Sequence, residues 1–148
     1  MKISGIVCEY NPFHNGHMYH IEETRKNGAT HIAAVMSGNF VQRGDLAVAD
    51  KFRRAETAVN CGADLVIELP VMYSLAPAEL FARGAVHILN SLGVVDEISF
   101  GSECGDIEPL SRIASILSEE PDTYKTLLKD YLKSGLTFPE ARTKALIR

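Results

Sequence analysis

Residues Glu9-Tyr10-Asn11-Pro12-Phe13-His14-Asn15-Gly16-His17 (EYNPFHNGH) decide how the rest of the chain is read. Pro12 and Gly16 interrupt regular structure. The run before them, residues 2–8 (KISGIVC), predicts a buried strand, and residues 17–27 predict a helix stopped by Gly28. The turn thus places a glycine at a helix N-terminus directly after a first strand. Unpaired backbone N–H groups and the helix dipole converge there, so the place suits an anion. Gly16 lets a phosphate approach the backbone closely. His14 and His17 offer hydrogen bonds to phosphate oxygens, stronger ones if the rings are protonated. The turn is neither G-x-G-x-x-G nor G-x-x-x-x-G-K-[ST], so dinucleotide and P-loop fingerprints do not apply.

Working outward, strands and helices alternate. Residues 30–36 (THIAAVM) predict a second strand and 64–69 (DLVIEL), closed by Pro70, a third. Residues 96–100 (DEISF) predict a fourth. Between them, Asp50 is a good N-cap for a helix over 50–61 that ends at Gly62, with Phe52, Ala55 and Val59 on its apolar face. Pro77 and Gly93 bracket another over 77–92, where Phe81, Ala85, Ile88 and Leu92 share a face. This order implies an α/β, Rossmann-like parallel sheet with flanking helices, whose ligand lies beyond the carboxyl ends of the strands where strand order reverses. A helical segment follows: Asp106 caps one helix, a second covers 122–134, and Thr137-x-x-Glu140 forms a capping box for a third. The expected division is 1–105 for the sheet domain and 106–148 for a helical segment, the start of a region that continues in a longer protein.

The 148 residues are 46% hydrophobic with a formal net charge of −4, values of an ordinary globular protein. No apolar run spans a membrane, no signal peptide is visible, and Cys8, Cys61 and Cys104 show no C-x-x-C, so reduced thiols in the cytoplasm are expected. A mild acidic balance argues against a general nucleic-acid binder, so RNA contact must be local, and DNA and membranes are not expected partners. His14, His17 and His20 also have the spacing of a metal site. The breaks at Pro12 and Gly16 take His14 off the helix, and no cysteine or carboxylate stands at ligand spacing, so no metal site is expected. The two histidines could also be plain surface residues of a turn. His20, His31 and His87 read as structural. At the second strand end, Ser37, Asn39 and Arg43 are candidate substrate or phosphate contacts. Lys51 is another, clustered with Arg53 and Arg54 at a helix start, where cations oppose the dipole; an ordinary loop and a solvated face are the plainer readings. Glu68, a carboxylate in an apolar run, is a candidate for the cleft. Gly101 would let adenine or ribose lie against the backbone. Glu103 reads equally as a metal contact and as part of a turn, and Cys104 has no visible partner to activate it.

The turn matches the H-x-G-H signature of the nucleotidyltransferase superfamily related to class I aminoacyl-tRNA synthetases. More closely, GIVCEYNPFHNGHMYHI (5–21), MSGNFVQRGD (36–45), DLVIELP (64–70) and SFGSE (99–103) resemble the bacterial tRNA(Met) cytidine acetate ligase family, over essentially the whole chain. The resemblance implies a carbon–nitrogen ligase that activates acetate with ATP to acetyl-adenylate. It then passes the acetyl group to N4 of the wobble cytidine of elongator tRNA(Met). It implies an ATP site at Val7, Cys8, Glu9, Tyr10, Asn11, Pro12, Phe13, His14, Asn15, Gly16, His17, Met18, Tyr19, His20 and Gly101, with His14 and His17 as the catalytic pair and Mg2+ balancing the phosphate charge. Further ATP contacts, an Asn and an Arg, are implied beyond residue 148. Two other readings stay open: a simple nucleotidyltransferase of the phosphopantetheine or nicotinamide-mononucleotide type, and a non-catalytic ATP-binding module. The first usually carries a late [ST]-x-x-R-type motif not found convincingly here, and the second needs no paired histidines.

Overall fold

The computed structural model describes residues 1–103 and 105–147, apart from the side chain of Arg43. The chain divides into two compact units, Met1–Gly101 and Ser102–Arg148. The first unit runs β1 (Ile3–Cys8), α1 (Asn15–Lys26), β2 (His31–Ser37), a 3-10 turn (Gln42–Gly44), α2 (Lys51–Asn60), β3 (Leu65–Leu69), α3 (Val71–Ser74), α4 (Ala78–Ser91) and β4 (Glu97–Ser99). All strand pairs are parallel and the order is β3-β2-β1-β4. The chain steps outward from β1 to β3, then returns to place β4 on the other side of β1. The strand order therefore reverses between β1 and β4, the crevice in which such sheets bind ligands.

The pleat sorts the sheet into two faces. Ile6, Ile32, Ala34 and Met36 pack with Ile21 of α1 and Ala58 of α2. Ala33, Val35 and Leu69 pack on the other face with Ala85 and Leu89 of α4. Helices thus cover both faces, which is why the strands read as unbroken apolar runs. Burying each such Leu or Ile stabilises by roughly 1.5–3 kcal/mol. Gly5 lets α4 come close: a Cβ there would stand 2.7 Å from a Leu89 methyl.

The rim opposite the crevice is fastened by two aspartates. Asp96 Oδ2 accepts the Ile3 N–H at 2.7 Å, and Asp64 Oδ2 accepts the Ile32 N–H at 2.7 Å. Each carboxylate satisfies the first free donor of a strand that no neighbouring strand serves.

One expectation is corrected, and one element is new. The buried face of α2 carries Arg54 and Ala58, with Ala55 partly buried. Phe52 is 75% exposed and Val59 47%. Ala55 and Ala58 pack on the sheet and Arg54 reaches inward to backbone carbonyls, while Phe52 and Val59 turn outward. The short α3 was not foreseen; one turn opened by Pro70 carries too few residues to show a period.

The second unit contains α5 (Ile107–Glu119), α6 (Asp122–Lys133) and α7 (Phe138–Leu146). Asp106 caps α5, and Thr137 with Glu140 forms the capping box of α7. Tyr124, Ala141 and Ala145 are buried there. No described helix is long and apolar enough to cross a membrane.

Candidate nucleotide site

α1 begins two residues before the expected His17, because His14 is its N-cap. A capping side chain must accept a hydrogen bond from the orphan N–H groups of the first turn. His14 does so through Nδ1, which accepts the Gly16 N–H at 3.1 Å. His17, at the third helical position, returns the arrangement: its Nδ1 accepts the His14 N–H at 3.2 Å. Two imidazoles thus perform the exchange normally made by Ser and Glu. The rings stack with centroids 3.7 Å apart. Gly16 gives this room, since a Cβ there would lie 3.0 Å from the His14 ring.

The cap fixes the chemistry that the rings can offer. With each Nδ1 lone pair taken by a backbone N–H, the neutral ring carries its proton on Nε2. Burial, then the neighbouring His14 and His20, hold the His17 pKa below the ordinary histidine range. His17 is therefore a neutral donor at pH 7 rather than the protonated one that would bind phosphate most strongly.

Tyr10 supports His17 from below. Its ring is buried, edge-on to His17 at 4.9 Å and to Phe13 at 4.8 Å. Its backbone sits at φ 47°, the left-handed region that a non-glycine residue occupies at a cost of roughly 1–2 kcal/mol. Its hydroxyl is buried without a nitrogen or oxygen partner and lies against the Cys8 thiol. Cys8 donates to the Val35 carbonyl, and burial pushes its pKa up to about 12, so it is no nucleophile.

Beside these residues opens a cleft of about 410 Å³, lined by Val7, Cys8, Glu9, Tyr10, Asn11, Pro12, His14, His17 and Phe81. Eight of these nine fall in the stretch that the family resemblance implies for ATP. Phe81, from the first turn of α4, was read only as core, and nothing in its helical spacing separates the two roles. Phe13 packs beneath the turn, while Asn15, Met18 and Tyr19 are exposed on α1. His20 reaches across to β4: its Nε2 lies 3.0 Å from Ser99 Oγ, which also meets Thr24 Oγ1 at 2.6 Å. Gly101 follows β4 with open space where its Cβ would be.

The candidates beyond β2 have other partners. Ser37 is fully buried with its hydroxyl unpartnered. Asn39 Oδ1 accepts the Lys51 N–H at 2.9 Å, and Lys51 Nζ donates to Glu68 Oε2 at 2.6 Å. Glu68 borders a second cleft of about 220 Å³ with Gly38, Asn39, Phe40 and Val71, not the cleft beside the histidines. The Arg43 side chain and Cys104 lie outside the described residues. Arg53 is exposed, 3.6 Å from Glu56. Arg54 is not on the solvated face its neighbours suggest. It is 2% exposed, and its guanidinium donates to the carbonyls of Ala49 (3.0 Å), Glu9, Ser37 (3.2 Å) and Gly38. His31 and His87 are exposed and outside this cleft. Among the described residues, no group of three His, Cys, Asp or Glu could hold a metal ion.

The whole chain, residues 1–148, matches the HIGH Nucleotidyl Transferase family. The chain belongs to that family. It is 56% identical over 147 residues to the tRNA(Met) cytidine acetate ligase of Acetivibrio thermocellus, covering 99% of this chain and 35% of that protein. It is 58% identical over 149 residues to the ligase of that name from Caldanaerobacter subterraneus subsp. tengcongensis, covering 100% and 37%. This HIGH nucleotidyl transferase chain thus spans about a third of the length of those relatives. The crystal structure of Thermotoga maritima TmcAL bound with alpha-thio ATP superposes with a TM-score of 0.96 at 53% identity, covering 100% of this chain and 36% of that one. The apo form of the same protein gives 0.94 at the same identity, with 35% of that chain covered.

Proposed function

We propose that the protein carrying this chain is an ATP-dependent tRNA(Met) cytidine acetate ligase, and that the chain supplies its nucleotide site. The observation that carries this reading is the pair of imidazoles at the head of α1, each with Nδ1 spent on the cap and Nε2–H left for an anion. ATP would lie over the crevice between β1 and β4, its phosphates at the α1 N-terminus and its adenosine toward Gly101. The relatives' names and the nucleotide analogue in the Thermotoga structure support the same choice.

In the proposed reaction an acetate oxygen attacks the α-phosphorus and the bond to pyrophosphate breaks, leaving acetyl-adenylate. The N4 amine of the wobble cytidine then attacks the acetyl carbonyl; AMP departs and the amine loses a proton. His14 and His17 donate to phosphate oxygens, and His17 steadies the charge that grows at the α-phosphate. Magnesium would be carried by the phosphates, since the described residues form no cage for it. The remainder of the 7–20 stretch frames the nucleotide, and Ser37, Asn39, Arg43 and Lys51 mark the side from which the second substrate would come. The 106–148 helices would begin the region joining this domain to the rest of the protein. Two soluble substrates and tRNA place the enzyme in the cytoplasm.

ATP–pyrophosphate exchange by the protein, with acetate, pantothenate or buffer alone and with or without tRNA, tests the reading. Exchange should need acetate and not tRNA. Dependence on another acceptor would favour a simple nucleotidyltransferase, and ATP binding without exchange a regulatory module. His17→Ala should lower exchange by several orders of magnitude; near-normal exchange would remove His17 from the mechanism.

A further inference from the structure

Arg54 is a buried charge that the chemistry above leaves unused. Its contacts join three segments that sequence keeps apart: the end of β1 at Glu9, the end of β2 at Ser37 and Gly38, and Ala49 ahead of α2. All these partners are backbone carbonyls. Such a guanidinium fixes main-chain positions from three separate nitrogens in one plane, whereas a lysine ammonium has its three donors on a single atom and cannot reach the same spread of carbonyls. The carbonyl it holds on β1 belongs to the residue just before Tyr10. Tyr10 is the strained residue of the turn, and a strained conformation persists only where its surroundings over-determine it. On one side Tyr10 is held by the Arg54–Glu9 bond, and on the other by its ring against His17 and Phe13.

We infer that Arg54 is a positioning residue of the nucleotide site, acting through the Glu9 carbonyl and the Tyr10 ring to hold the His17 imidazole in its capping orientation. Its consequence for catalysis rests on the reading of His17 given above; the positioning itself does not.

The 15N chemical shifts of the His17 ring separate the two. In the unaltered protein they should report one neutral tautomer, protonated on Nε2. Arg54→Lys, which keeps the charge and loses the fork, should give a mixture of tautomers, and Tyr10→Leu, which breaks the chain one link later, should give the same mixture. The double variant should shift no further than either single one. Acetate-dependent exchange by Arg54→Lys should fall at least tenfold in kcat, with a smaller change in KM for ATP. An unaltered His17 signal in whichever of the two variants folds overturns the inference. A changed signal with unaltered exchange upholds the positioning and instead overturns the catalytic part given to His17.

Discussion

A histidine that caps a helix and lines a cleft can serve two purposes, and these can be separated at single residues. Gln at the third position of a helix accepts the N-cap N–H as readily as Glu does. His17→Gln should therefore keep α1 capped, with a melting temperature near that of the parent at neutral pH, while acetate-dependent exchange drops at least a hundredfold. His14→Ser should behave likewise, whereas His14→Ala loses the cap and about 1 kcal/mol of stability. Thermal melts beside exchange assays distinguish these outcomes. The pH dependence has a definite sign. Burial and nearby His14 and His20 hold the folded His17 pKa below its usual 6.5. As pH falls, the unfolded chain takes up that proton first. Stability tied to His17 is thus complete above about pH 6.5, declines below it, and levels off once the folded ring titrates. Melting temperatures of the parent and His17→Gln, compared from about pH 8 to about pH 5, should nearly coincide at neutral pH, with the parent falling below the variant on the acid side. A difference that does not vary with pH would contradict the burial argument.

At the level of elements, α2 shows how a correct helix can carry an incorrectly assigned face. Phe52 stands out in solvent while Ala58 is fully buried against β2. Phe52→Ser should change stability by less than about 0.5 kcal/mol, and Ala58→Leu should cost about 1–3 kcal/mol by overpacking; urea melts of the two variants measure both. Hydropathy favours the reverse assignment, since it scores side chains one at a time and cannot know how near the sheet lies. The same limit explains Arg54. Next to Lys51 and Arg53 it reads as one more surface cation, and only the carbonyls brought together by folding show it as a cross-brace. What sequence made legible was local: Asp50, Asp106 and Thr137 as caps, and the glycine-bearing turn after β1. The role of His14 as a cap was not legible, because an imidazole rarely does the work of Ser or Asp. Nor was Phe81, whose place at the cleft depends on where α4 crosses the sheet.

For the molecule as a whole, strand order and the site are one argument. Reversal between β1 and β4 opens the crevice, and the two loops that leave those strands carry the histidine turn and Gly101. ATP titrated into 15N-labelled protein should therefore move the amides of Gly16, His17 and Gly101 and leave those of Leu65 and Val66, on the far edge strand, in place. A response centred on Gly38 and Asn39 instead would put the nucleotide in the smaller cleft beside Glu68. At the opposite rim the fold is bolted by Asp64 and Asp96, which accept the amides of Ile32 and Ile3 near the starts of β2 and β1. A frame locked at its floor does not depend on its roof for register. The 38–50 loop belongs to the roof: it is pinned to the histidine turn by the Gln42 N–H on Glu9 Oε1, the Val48 N–H on Asn11 Oδ1 and the Arg54 brace at Gly38 and Ala49, so rewriting it would move the imidazoles next door while leaving strand register in place.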